Sequence, residues 1–166
     1  MQTKDKETLF KEAMGGYPTG VTIVTSKNEK GEPVGLTVNS FASVSIDPLL
    51  VLWSIDHKVS SLGAFKNADG FAVHILAGDQ QELCKTFATK DTNRFSLHEW
   101  SISKHNLPVL ADTFSVLQCK TFKQVEAGDH TILIGEVQDI QITKDKEPML
   151  YHRRNFGFIP SEFYTN

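Results

Sequence analysis

The side chains with the most chemical reach sit in four separated stretches. In VGLTVNSFASVS (34–45) the residue types alternate, so a strand here would put Leu36, Val38, Ala42 and Val44 on one face and Thr37, Asn39, Phe41 and Ser43 on the other. Two hydrogen-bonding side chains would then flank a flat apolar ring. The same pattern also fits the outward face of a half-buried strand.

A second group follows an apolar run, LLVLWSI (49–55), in which Ser54 stands next to last, before Ile55. Lys58, Ser60 and Ser61 come next and open an expected helix. A helix start offers free N–H groups and positive potential to an anion, and hydroxyls with one lysine would complete a cradle. Read alone, Asp56, Ser60 and Ser61 are equally good capping residues. Asp56 counts against an anion unless its carboxylate points away.

The third group is His130, just past a Gly128-Asp129 corner, and the fourth is the aromatic and basic tail with Tyr151, Arg153 and Arg154. Arginine suits a pyrophosphate. A solvated basic patch is the plain alternative, as a structural role is for a lone histidine.

Several familiar sites are missing. The first strand is not followed by G-x-G-x-x-G, and no G-x-x-x-x-G-K-[ST] occurs, so Rossmann and P-loop readings lack support. His98-Glu99 is followed by Trp100 and then by His105, which leaves no HExxH zinc pair. No Gly-x-Ser-x-Gly elbow marks a nucleophile. Cys84 falls on the apolar side of an expected helix and reads as packing.

The elements that must position these groups are mostly strands. Leu9, Phe10, Ala13 and Met14 form one stripe of a helix over 5–16, stopped by Gly15-Gly16 and Pro18. GVTIVTSK (20–27) is β-branched, and a turn over 28–31 returns it as a hairpin from Val34. After the strands over 34–45 and 49–55, a helix is expected over 59–66, a strand over 70–77 and a helix over 80–89. Residues 90–112 look irregular. From Phe114 two long strands should run to residue 143 around the Gly128-Asp129 corner. Many strands with short helices between them suggest a decorated β-barrel.

The chain has 166 residues, 40% apolar and 22% charged, with a net charge of −3. These values fit one globular domain, residues 1–166, and give no basic field for nucleic acid. The N-terminus lacks the apolar run of a secretion signal, and no stretch reads as a membrane span. Cys84 and Cys119 have neither metal nor redox-pair spacing, so reduced thiols and a cytoplasmic location are expected.

Four stretches together carry a resemblance. PTGVTIVT (18–25), GLTVNSFASVSIDPLLVLWSI (35–55), GDHTILIGEV (128–137) and EPMLYHRRNFG (147–157) resemble, in order and spacing, the short-chain flavin reductase family. Reductase components of two-component flavin monooxygenases belong to it. The resemblance runs from about residue 6 to residue 157, and TVNSFASVS with the downstream GDHT is its specific part.

The resemblance implies a mainly β fold, the FMN-binding split β-barrel with short peripheral helices. It implies an NAD(P)H:flavin oxidoreductase using FMN or FAD, with NADH or NADPH as co-substrate. An isoalloxazine needs hydrogen-bond partners along one edge and an apolar wall, which Thr37, Asn39 and Phe41 would supply. By resemblance the cofactor-binding residues are Pro18, Thr19, Gly20, Thr37, Val38, Asn39, Ser40, Ser54, Ile55, Lys58, Ser60, Ser61 and Phe87. The junction at Ser54–Ser61 would take the phosphate. His130 lies near the nicotinamide as the catalytic candidate, with Tyr151, Arg153 and Arg154 on the same side. The family also implies a homodimer and a separate monooxygenase as partner. Where family members often carry asparagine this chain has His74, and Arg94 and Phe95 have no assigned place. Two rival readings are a flavin-binding electron carrier or sensor without turnover, and a split barrel holding haem or pyridoxal phosphate.

Overall fold

The computed structural model describes residues 3–90 and 93–165. Its order is α1 (Thr3–Gly16), β1 (Thr22–Lys27), β2 (Pro33–Val38), β3 (Ala42–Ile46), β4 (Leu49–Asp56), α2 (Leu62–Asn67), β5 (Gly70–Ile75) and α3 (Gln81–Ala88). Then come β6 (Trp100–Ile102), β7 (Pro108–Leu110), β8 (Ser115–Ala127), β9 (His130–Ile142), β10 (Met149–His152) and β11 (Asn155–Phe158). Short 3₁₀ turns lie at Arg94–Ser96 and Ser161–Phe163.

Seven strands form one sheet in the order β2-β1-β5-β8-β9-β4-β3, and every pair in it is antiparallel. The expected hairpins hold: Lys27 pairs with Pro33, and Ala127 with His130. The second turn rests on Gly128, whose φ of 63° is a conformation that glycine adopts without steric cost.

The stretch 34–45 departs from expectation. It is not one strand but two, β2 and β3, which lie at opposite edges of the sheet. Only residues 39–41 join them, and three residues reach roughly 10 Å when extended. The sheet is therefore rolled until its two edges meet at this corner, giving a split-barrel-like, mainly β architecture. β2 is partly or fully buried along its length, whereas β3 is exposed at four of its five positions, so Ala42 and Val44 do not continue the part-buried face of Leu36 and Val38. The supposed shared face of Thr37, Asn39 and Phe41 does not exist, since Asn39 and Phe41 lie outside either strand.

The interior holds Trp53, Phe65 and Phe71, the two phenyl rings meeting the indole edge-on at 5.0 and 5.8 Å. Each such contact contributes about 0.5–1.5 kcal/mol beyond the area it buries. A second cluster, with Leu83, Cys84, Phe87 and Phe95, lies between α3 and the sheet. Gly35 allows this approach, because a β-carbon there would stand 2.8 Å from Phe87 Cε1. Both cysteines are buried and unpaired, and desolvation raises their thiols to about 11 for Cys84 and about 12 for Cys119.

His74 is wholly buried. Its Nδ1 lies 3.0 Å from the Ile23 carbonyl, and its Nε2 accepts the Leu110 N–H at 3.0 Å. It thus pins β5, β1 and β7 together. The segment read as irregular contains the β6–β7 hairpin, in which Trp100 pairs with Leu110, and the tail forms the β10–β11 hairpin. Three-residue strands carry too little periodicity to be seen in sequence. Among the described residues no helix is long and apolar enough to cross a membrane.

Candidate flavin and nicotinamide site

Chain contacts join the candidate residues into one continuous band. At one end, Thr19 and Tyr151 exchange backbone hydrogen bonds at 3.0 and 2.8 Å. Pro18 and Gly20 flank Thr19 and are exposed. Three residues further on, Thr22 stands opposite Val38, and its hydroxyl donates to the Val38 carbonyl at 2.9 Å. Val38 leads through the exposed Asn39 to Ser40 at the corner.

Ser40 ties that corner to β4. Its Oγ accepts the Ser54 N–H at 2.9 Å and donates to the Ser54 carbonyl at 3.2 Å. Ile55 follows and is buried in the core. Asp56 is the register partner of His130 on β9. The band therefore runs Tyr151, Thr19, Val38, Ser40, Ser54, Asp56, His130.

The turn after β4 is shaped by its own backbone. Asp56 Oδ1 accepts the Lys58 N–H at 2.8 Å, and the Val59 N–H donates to the Asp56 carbonyl at 3.1 Å. The Asp56 carboxylate is thus engaged on the turn itself. Lys58 and Ser60 are exposed. Ser61 is the N-cap of α2 and makes no side-chain capping bond. Among the described residues neither Ser60 nor Ser61 has an intramolecular partner for its hydroxyl. Two hydroxyls and one ammonium therefore stand available on one short turn, a donor set that fits a phosphate.

His130 is half-buried, with Nδ1 2.7 Å from Asp129 Oδ1. That hydrogen bond is the main reason the Asp129 carboxyl lies below its usual range, with the His130 charge next and Lys58 a smaller contributor. No hydrogen bond or ring contact links His130 to Tyr151, Arg153 or Arg154. Tyr151 packs on Phe156 with ring centroids 5.1 Å apart. Arg153 and Arg154 form the exposed tip of the β10–β11 hairpin, both in the left-handed region at φ 48° and 64°. The Arg153 N–H holds this tip to the Gly15 carbonyl at 3.0 Å.

Two expected contacts move. Thr37 points at α3, its hydroxyl donating to the Cys84 carbonyl at 2.8 Å. Phe87 is fully buried and meets Phe95 edge-on at 5.1 Å, so it packs the core. Arg94 hydrogen-bonds the carbonyls of Gly35 and Thr89, fastening its loop to β2. The sequence reading missed His57, Glu126 and Thr131, which meet beside the turn. His57 Nε2 lies 3.0 Å from both Thr131 Oγ1 and Glu126 Oε2. Folding the hairpin about Gly128-Asp129 sets Glu126 opposite Thr131, a pairing available from sequence; the arrival of His57 was not.

The flavin reductase like domain family matches residues 14–160. The chain belongs to that family. An FMN reductase (NADH) of Agrobacterium fabrum is 41% identical over 148 residues, covering 89% of this chain and 83% of that protein. The reductase component of a flavin-dependent trigonelline monooxygenase from Acinetobacter baylyi is 40% identical over all of this chain, which spans 53% of that protein. Among solved structures, the Streptomyces globisporus NADH:FAD oxidoreductase in complex with NAD and FAD fragments superposes with a TM-score of 0.88. It is 32% identical, over 96% of each chain. The rolled sheet is thus that of a flavin reductase-like chain.

Proposed function

We propose that this flavin reductase-like chain is an NAD(P)H:flavin oxidoreductase that passes reduced flavin to a separate monooxygenase. The supporting observation is the turn at Lys58–Ser61, with its free hydroxyls and ammonium, linked through the Ser54–Ser40 hydrogen bonds to the polar corner at Val38–Ser40. A flavin, FMN or FAD, supplies a ring that accepts a hydride from NADH or NADPH. Lys58, Ser60, Ser61 and Ser54 would hold its phosphate, and the backbone of Val38, Asn39 and Ser40 would meet the ring, with Ile55 left to the core. Pro18, Thr19 and Gly20 would line the far side of the band. His130, Tyr151, Arg153 and Arg154 would orient the nicotinamide. Hydride transfer needs alignment more than a strong acid or base, so these residues act chiefly by positioning.

The reading includes a homodimer. Large apolar side chains stand uncovered on β3 and at the end of β9, among them Ile46 at 87% and Ile142 at 65% exposure. The apolar stripe of α1 is exposed as well, with Phe10 at 66%. A helix of this length is marginal in water without packing, and a second copy would cover these surfaces. One domain is supported by a sheet whose strands come from residues 22 to 142. The two free, buried thiols fit a cytoplasmic setting.

The deciding assay is NADH oxidation with added free flavin. Turnover supports the reductase; flavin binding without turnover supports the carrier reading. Replacing Lys58, Ser60 and Ser61 together by alanine should weaken flavin binding by roughly 2–4 kcal/mol, at about 1–2 per charge-assisted contact, with the fold kept. Unchanged affinity would move the phosphate elsewhere.

A further inference from the structure

Glu126, near the end of β8, is the meeting point of three structural elements. Its Oε1 accepts from Lys66 Nζ on α2 and from Thr131 Oγ1 on β9, both at 2.9 Å. Its Oε2 lies 3.0 Å from His57 Nε2 on the turn after β4. The hydrogen bond from Lys66 is the leading reason that this carboxyl lies below its usual range, followed by that from Thr131. Thr131 is fully buried and pairs with both Glu126 and Ile55.

The surroundings repeat the pattern. The His57 N–H donates to the Asp129 carbonyl at 3.0 Å, and Gln124 Nε2 donates to the Lys66 carbonyl at 2.7 Å. Lys58 follows His57 in sequence, and His130 precedes Thr131. One carboxylate thus holds the residue next to the phosphate donors and the residue next to the candidate catalytic histidine. An isolated exposed ion pair contributes little, but a carboxylate shared by three donors on three elements restricts how they can move.

We infer that Glu126 is a positioning residue, which sets the Lys58–Ser61 turn against the β8–β9 hairpin without touching the flavin. The inference rests on the reading that this turn holds the flavin phosphate.

The test compares affinity for FMN and for riboflavin, which lacks the phosphate, by flavin fluorescence. The proteins are wild type, Glu126→Ala, Glu126→Gln, Lys58→Ala and the Glu126→Ala/Lys58→Ala double variant. Glu126→Ala should weaken FMN binding about five- to tenfold and leave riboflavin within about twofold, since misplaced donors lose only the phosphate contact. Glu126→Gln should fall between, because it keeps one acceptor oxygen and loses the charge. In the Lys58→Ala background the Glu126→Ala effect should shrink to about twofold or less, the signature of coupled residues. Equal losses for FMN and riboflavin, or fully additive losses, would show a general structural role and overturn the inference. A loss in Lys58→Ala with none in Glu126→Ala overturns this inference alone. FMN affinity untouched by Lys58→Ala overturns the phosphate reading and this inference with it.

Discussion

The Ser40 hydroxyl makes two hydrogen bonds to the backbone of a single residue, Ser54, accepting from its N–H at 2.9 Å and donating to its carbonyl at 3.2 Å. These bonds fasten the corner between the two edge strands onto β4. Ser40→Ala leaves two partly buried backbone groups without that partner. It should cost about 1–2 kcal/mol in urea unfolding and weaken flavin binding as well. Ser43→Ala, on the exposed part of β3, should change stability by no more than about 0.5 kcal/mol. Equal effects of the two substitutions would deny the corner this role.

His130 allows a sharp kinetic test. If it orients the nicotinamide, His130→Ala should cut anaerobic flavin reduction by NADH about tenfold, or roughly 1.4 kcal/mol of transition-state stabilisation, with flavin affinity nearly unchanged. Its place opposite Asp56, beside the Lys58 turn, supplies a second possibility. A histidine serving the phosphate would instead weaken FMN binding and leave the rate in loaded enzyme intact. Stopped-flow reduction of flavin-loaded protein separates the two.

The buried His74 should make stability depend on pH. Desolvation lowers its pKa from 6.5 to about 4, partly opposed by the hydrogen bond to the Ile23 carbonyl. As pH falls below 6.5 the unfolded chain takes up a proton that the folded chain refuses. Stability is therefore fully present above that value and is lost as pH falls toward 4, by up to roughly 3 kcal/mol. His74→Phe should lower stability at neutral pH, because the Leu110 N–H and Ile23 carbonyl lose their partner, and should flatten this dependence. Urea titrations of both proteins from pH 7.5 to pH 4.5 read out the difference; parallel curves would deny His74 the effect.

Association can be tested at the exposed apolar residues of β3 and β9. Sedimentation should show a dimer at micromolar concentration. Ile46→Asp with Ile142→Asp should shift it to monomer and leave the circular dichroism of the fold intact. A wild-type monomer would refute the dimer, and a dimer unaffected by both changes would place the interface on another face.

The long hairpin was readable in the sequence because local rules set it: β-branched alternation on both arms and a glycine where the turn needs a positive φ. The turn at Asp56–Ser61 was readable for the same reason, since Asp56, Lys58, Ser60 and Ser61 lie within a few residues of one another. Its helix begins later than expected, at Leu62, because the Asp56 carboxylate organises a separate turn first. His74 was not readable as core, because only its two distant backbone partners, the Ile23 carbonyl and the Leu110 N–H, satisfy a buried imidazole.

The sequence by itself determined the mainly β character, the run of hairpins and the family, because strand periodicity, turn residues and motif spacing are properties of neighbours along the chain. Only the tertiary structure decided that 34–45 is two strands on opposite edges, that Ser40 reaches Ser54, and that His57 and Glu126 meet. Period-two alternation records which face of a sheet a side chain takes, and rolling the sheet leaves that record unchanged. Which strands become neighbours is set by closing the sheet over one shared core, a global condition that no local pattern encodes.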